Sequence, residues 1–218
     1  MSNDRTLEST HEQAVWDEPA VLVNKLPPPD AMTYSKWYLY KKEMTPERNR
    51  WFAWFAICLL GGPLAAISAM AFGNPTSLGG VMTMIVIAPI LEEIVKIGLP
   101  LVLLEIKPYL FSSRFQIITA AMMGGLFFSV IENILYLEVY IPNPSEAIIQ
   151  WRWTICTAMH VGATTVASFG LVRVWRDGDI KLQKPQISKG FPLFISAMVI
   201  HGGYNTIALI MEYTGMLK

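Results

Sequence analysis

Leu91-Glu92-Glu93-Ile94-Val95-Lys96 lies inside an apolar run that extends from Leu78 to Leu104. Such a run exceeds the ~20 residues that a helix needs to cross about 30 Å of hydrocarbon. A charged side chain at mid-bilayer costs roughly 2.5–3.5 kcal/mol even on mild insertion scales, and it faces the bundle interior or a watered cavity. Two adjacent carboxylates with a lysine one turn on therefore set both the fold class and the kind of site to look for. The chain reads as a membrane bundle that does chemistry inside the membrane.

Outward from this stretch the same apolar character returns in Trp51–Phe72, Phe115–Ile141 and Phe191–Tyr213, and in Trp151–Trp175 apart from Arg152, His160 and Arg173. Hydrophobic residues make up 53% of the 218, and mean hydropathy is +0.39. These values fit a soluble domain poorly and fit an all-α polytopic membrane protein of about five transmembrane helices. The expected spans are 51–72, 78–104, 115–141, 151–175 and 191–213. Formal net charge is zero, and no nucleic-acid partner is expected; the lipid bilayer is.

The placement of cations is more telling than their number. Lys36, Lys41, Lys42, Arg48 and Arg50 precede the first span. Lys107 and Arg114 lie between the second and third, and Arg173, Arg176, Lys181, Lys184 and Lys189 lie at or between the fourth and fifth. Gly73–Ser77 has no cation, Ile141–Arg152 has only Arg152, and the C-terminus has only Lys218. By the positive-inside rule the N-terminus is cytoplasmic and the C-terminus extracytoplasmic, in a multi-pass protein of the plasma membrane.

The first fifty residues are polar and no cleaved signal peptide is apparent. Residues 1–33, which include Pro27-Pro28-Pro29, read as a flexible cytoplasmic tail. Residues 34–50 form a basic and aromatic interfacial segment. There Tyr34, Trp37 and Tyr38 fall at helical spacing, either as a helix on the inner leaflet or as an aromatic belt below the first span. Residues 51–218 form the membrane domain, in which no internal repeat is found. Cys58 and Cys156 lack ligand-like spacing and are expected to be packing residues.

Four of the five spans carry polar residues one turn apart. Glu92 and Lys96 are i, i+4, with the carboxylate on the favourable N-terminal side. Glu93 is rotated about 100° from Glu92 and faces elsewhere in the bundle. Phe128 and Glu132 repeat the spacing, with Asn133 next; His160 stands on the fourth span, and His201 and Asn205 share a face of the fifth. Counted along the helices, Glu92 is ~20 Å below the outer surface, and the other groups lie between mid-bilayer and the outer third. Pro89 signals a kink. Gly124-Gly125 and Gly202-Gly203 permit close helix approach or unwinding beside a cavity.

Each residue alone has a plainer explanation. A histidine or Asn205 can join helices, and Glu92–Lys96 can be a structural ion pair. Glu138 and Glu212 fall at solvated span ends. Together, three carboxylates, two histidines and an asparagine at one depth are too costly for packing alone. Such a set suits the activation of water against a carbonyl. The carboxylates Glu92, Glu93 and Glu132 would titrate as a coupled group, and His201 with Asn205 would donate to a developing oxyanion. Equally, His160, His201 and a carboxylate such as Glu132 would hold zinc, leaving another glutamate as base. H-E-x-x-H is absent, so spacing leaves both routes open.

Glu92-Glu93-x-x-Lys96, Phe128-x-x-x-Glu132-Asn133, Arg152 with His160, and His201-x-x-x-Asn205 together resemble the PrsW family of intramembrane proteases. That family is related to the CAAX prenyl-protease and bacteriocin-processing membrane proteins. The similarity covers roughly Trp51 to Tyr213. Lys96 and Glu132 stand where the wider superfamily has arginine and histidine, as in the PrsW branch. The resemblance implies a peptidase, glutamic or zinc-dependent, acting on a membrane-anchored protein substrate, typically an anti-sigma factor. It assigns Glu92 and Glu93 to water activation, Glu132 and His160 to completing the site, and His201 and Asn205 to oxyanion or ligand roles. Lys96, Phe128, Asn133 and Arg152 would support them. The depth of the site places the cut near the extracytoplasmic side. An ion-coupled transporter and a non-catalytic chaperone or immunity relative are the rival readings. Arg152 is expected to snorkel to headgroups.

Overall fold

The computed structural model describes residues 32–69 and 78–216, and every regular element among them is helical. α1 is Tyr34–Met44 and α2 is Glu47–Ala69. α3 runs through Leu78–Met82, a π-helical turn Thr83–Ile87, and Ala88–Ile106. α4 is Arg114–Tyr140 and ends in a π turn, Tyr136–Tyr140. α5 is Glu146–Asp179, interrupted by a third π turn at Arg152–Cys156. α6 is Ile187–Tyr213. Serines start two of these helices: the Ser113 and Ser145 hydroxyls accept from the backbone N–H groups of Gln116 and Ile148, satisfying donors that a helix start leaves unpaired.

The chain is an all-α membrane protein. Among the described residues three helices, α4, α5 and α6, are long and apolar enough to cross a bilayer. The other two expected spans are present as helices that carry charges of their own, α2 opening on Glu47, Arg48 and Arg50, and α3 holding Glu92, Glu93, Lys96 and Glu105. The expected Met1–Asp30 tail, the Gly73–Ser77 connection and Lys218 lie outside the described residues.

α3 packs against α2, α4, α5 and α6. Its Glu92, Glu93 and Lys96 are thereby buried among the other helices, as the cost of intramembrane charge demands. α6 leaves Phe191, Ile195, Val199, Ile207 and Ile210 exposed, a face suited to lipid.

Glycines let helices close on the site. A Cβ on Gly125 would come within 2.9 Å of Thr164 Oγ1 and 3.0 Å of the His160 carbonyl, so α4 lies backbone-close to α5. A Cβ on Gly202 would stand 2.6 Å from the Ile85 carbonyl, which brings α6 onto the π turn of α3. Ile85 is also the residue whose carbonyl the Pro89 ring would strike in a regular helix. The kink expected at Pro89 takes the form of this widened turn, closed by the Ala88 N–H on the Thr83 carbonyl.

α1 differs from its sequence reading. Tyr34, Trp37 and Tyr38 are buried. Trp37 meets Tyr109 edge-on at 5.7 Å, and the Tyr38 hydroxyl donates to Asp179 Oδ1 at 2.8 Å while Lys42 pairs with the same oxygen. The aromatic face is turned onto the protein and away from the leaflet, because the Pro108–Leu110 turn and the end of α5 offer a floor and an acceptor.

Candidate active site

Lys96 is the hub. It is 1% exposed, and its ammonium donates to Glu93 Oε1 at 2.8 Å and to His160 Nδ1 at 2.9 Å. Glu92 Oε2 is 3.7 Å away, and the Phe128 ring centroid lies 4.0 Å from Nζ. A buried cation needs such a shell, and the aromatic face completes it where no oxygen does. That contact gives Phe128 its place in the motif.

The partners fix the histidine tautomers. An ammonium can only donate, so His160 Nδ1 accepts, and neutral His160 carries its proton on Nε2, which faces Glu132 Oε2 at 2.9 Å. His201 Nδ1 lies 2.9 Å from Glu93 Oε1 and must donate to it. Neutral His201 therefore presents an unprotonated Nε2 towards Glu92 Oε2, 3.6 Å away. The two imidazoles pack edge-on at 4.7 Å.

The two adjacent glutamates have different situations. Glu93 is 1% exposed, with Oε1 held by Lys96 and His201 and Oε2 accepting from the Thr164 hydroxyl at 3.2 Å. Glu92 lines a cavity, and its Oε2 is buried without a hydrogen-bond partner. Glu132 lines the same cavity with Arg152 3.0 Å from its Oε2.

Arg152 does not snorkel. Its guanidinium pairs with Glu132, lies 3.7 Å from the Tyr136 ring centroid and donates through Nε to Asn133 Oδ1 at 3.1 Å. Two partially buried acceptors and an aromatic face outweigh the pull of the headgroups. Asn133 in turn donates to the Arg152 carbonyl at 2.9 Å.

The cavity has a volume of about 200 Å³. It begins at Glu92, Glu132 and His160, passes an aromatic wall of Tyr136, Trp151 and Tyr204, and reaches Tyr140 and Glu212. All three π turns border it: Thr83 and Met84 from the first, Tyr136 and Tyr140 from the second, Arg152 and Cys156 from the third. A π turn widens the helix and re-aims carbonyls. Two asparagines take up those carbonyls, Asn133 on Arg152 and Asn205 on Met84 at 2.9 Å. Asn205 lines the cavity and spends one of its two amide N–H donors on α3; sequence reasoning gave it a share in an oxyanion hole.

Glu92, His160 and His201 present donor atoms within 4.8 Å of one another. Two imidazoles and a carboxylate fit a divalent cation by donor type, with Glu92 Oε2 and His201 Nε2 free to ligate and His160 Nδ1 free once the Lys96 ammonium turns away from it. Glu92 completes this set in place of Glu132, whose charge is already met by Arg152 and the far nitrogen of His160. Glu132, Cys156 and His160 form a second group of the same span. Cys156, read as a packing residue, lies with its Sγ 3.9 Å from Glu132 Oε2.

Sequence reasoning missed Thr164, Cys156 and the aromatic wall. A signal existed for the first two: Arg152, Cys156, His160 and Thr164 recur every fourth residue and share one face of α5. Trp151 and Tyr204 gave none, because aromatics in a span are ordinary lipid or packing residues. They meet through Trp151 Nε1–H donating to the Tyr204 hydroxyl at 2.8 Å.

A model of the PrsW family of intramembrane metalloproteases matches residues 49–217. No curated protein and no solved structure matches the chain. The matched segment contains every residue of the buried cluster and the whole of its cavity. The chain belongs to the PrsW family of intramembrane metalloproteases.

Proposed function

We propose that Glu92 is the general base with which this intramembrane protease cleaves a membrane-anchored protein near the extracytoplasmic face. The observation that carries this reading is the orphaned Glu92 Oε2, buried, turned to a cavity and set between His201 and Lys96. A buried acceptor left free beside the unprotonated His201 Nε2 is suited to take a proton from water and pass it on.

In this mechanism water in the cavity gives a proton to Glu92 Oε2 as its oxygen attacks the scissile carbonyl. The proton then moves to His201 Nε2, forming an imidazolium held by Glu93, and from there to the departing amine. Glu93 thus acts as a positioning residue. Lys96 fixes Glu93 and His160 and lies 3.7 Å from Glu92 Oε2. His160 holds Glu132 at the same end of the cavity, and Arg152 beside it adds positive charge for the developing oxyanion. Glu92, His160 and His201 are the residues that would hold zinc; with the ion bound Glu92 would serve as a ligand instead of the base, and the ion would supply Lewis-acid polarisation of the carbonyl and a more acidic water.

The substrate class is a single-span membrane protein, with an anti-sigma factor as the specific proposal. The orientation is N-terminus cytoplasmic and C-terminus extracytoplasmic in the plasma membrane, with five crossings. C-terminal alkaline phosphatase should be active in that orientation, and an inactive fusion with a fluorescent C-terminal green fluorescent protein would reverse it.

Glu92→Gln keeps the volume and removes the base. Cleavage of a co-expressed single-span protein should fall by roughly 10²–10⁴, the variant should retain its substrate on purification, and mass spectrometry would name it. Elemental analysis of wild type and variant separates the two roles of Glu92: stoichiometric zinc in the wild type that is lost from the variant would make Glu92 a ligand, and activity without zinc would leave it the base. A Glu92→Gln protein that cleaves at the normal rate would remove Glu92 from the mechanism.

A further inference from the structure

At the other end of α5 lies a second pocket, about 470 Å³, lined by Arg173, Arg176, Asp177, Ile180, Lys181 and Lys189. Arg173 is thirteen residues beyond His160, or ~20 Å along the helix, so this pocket and the catalytic cavity serve opposite faces of the membrane. We propose that it binds the phosphate headgroup of an anionic phospholipid.

Asp177 organises the site. It is 1% exposed, with Oδ1 3.1 Å from Lys181 Nζ and Oδ2 2.7 Å from Lys189 Nζ. One carboxylate against four cations leaves three positive charges without an answering negative one in the pocket. Arg173 and Arg176 are exposed, one turn apart, and make no ion pair with any described residue. Two guanidiniums held beside two lysines that a buried carboxylate tethers form a site for a phosphate monoanion or diester.

Apolar surface next to the cations selects a lipid over a free anion. Phe169, one turn before Arg173, is 48% exposed, Ile180 is 60%, and Phe191 and Ile195, just after Lys189, are 52% and 57%. A soluble phosphate has no use for that surface, whereas acyl chains hanging from a headgroup cover it. Basic pockets at the membrane boundary are the known form of such recognition. The positive-inside rule accounts for the number of cations here. It does not account for their gathering around a buried aspartate.

The test uses the full chain in phosphatidylcholine nanodiscs with added phosphatidylglycerol, and reads bound lipid by native mass spectrometry. Wild type should retain phosphatidylglycerol over phosphatidylcholine. Arg173→Gln/Arg176→Gln should bind it roughly thirty-fold more weakly, at about fivefold per cation lost. Arg173→Lys/Arg176→Lys should bind nearly as wild type, which separates loss of charge from loss of fold. Lys107→Gln/Arg114→Gln removes two cations from the same side and should leave binding largely intact. Equal loss in that control would reduce the effect to general surface charge and overturn the site. Displacement of the lipid by millimolar inorganic phosphate would overturn the lipid assignment in favour of a free anion.

Discussion

α5 carries two charged clusters, one around His160 and one around Asp177 and Asp179, and they are held by opposite means. In the first, Glu93, Lys96, His160 and His201 are each about 1% exposed and satisfy one another directly. In the second, a buried carboxylate is met by lysines whose own side chains are 36% to 56% exposed. The same residue types thus have different energetic meaning. Removing one partner of a buried pair costs roughly 3–5 kcal/mol, because the other charge is left stranded. Exposed pairs contribute ~0–1 kcal/mol. The buried cluster leaves Glu92 Oε2 without a hydrogen-bond partner beside a cavity, and a free acceptor is what chemistry requires. The boundary cluster presents exposed cations and is suited to docking.

The largest expected effect comes from stranding charge in the first cluster. Lys96→Met removes the cation from Glu93 and Glu92 at once, and should lower stability by roughly 3–5 kcal/mol, read as a fall in Tm in one fixed detergent. Adding Glu93→Gln should recover most of that loss, since the pair is then neutral and Thr164 and His201 can still bond the amide. Recovery of stability without recovery of cleavage would separate the architectural role of the ion pair from its catalytic one. A loss below ~1 kcal/mol for Lys96→Met alone would mean that water reaches the cluster, and the contrast with the boundary would collapse.

Sequence alone reached the first cluster because charge in an apolar run is conspicuous. Glu92, Glu93, Lys96, Glu132, His160 and His201 each interrupt a span, and the coordinates bring them together. It did less well where a residue looks the same in two settings. Arg152 at a span end reads as a snorkelling cation until Glu132, Asn133 and Tyr136 are seen around it. Cys156 and Tyr204 look like packing residues, and nothing local says that a π turn has rotated the wall inward. The π turns themselves were invisible, since only Pro89 marks one of them and the other two have no proline. Asn205 shows the limit of face-sharing arguments: it shares a side of α6 with His201, yet its amide reaches α3. The boundary cluster was read as cations only. Asp177 and Asp179 at a helix end look like solvated residues, and their burial or pairing depends on segments far away in the chain.

The smallest effect, at that boundary, is also the most discriminating. Asp179 accepts from the Tyr38 hydroxyl and pairs with Lys42, and so ties α1 to the end of α5. Burial, reinforced by Asp179, keeps the Tyr38 phenol protonated well above its ordinary range, so this bond persists through neutral pH. Asp179→Asn keeps an acceptor for Tyr38 and deletes only the charge. The Lys42 side chain is 36% exposed, so the loss should be no more than ~1 kcal/mol. It should appear as faster amide exchange confined to residues 34–44, with cleavage unchanged. Raising salt from about 0.1 M to 1 M shortens the screening length from roughly 10 Å to 3 Å, and should reproduce the effect in the wild type. The same salt step should leave a Glu93–Lys96 pair enclosed by four helices untouched. If exchange in α1 were insensitive to salt and to Asp179→Asn, the aromatic contacts of Trp37 with Tyr109 would be holding the helix by themselves, and the boundary would be apolar docking decorated with charge.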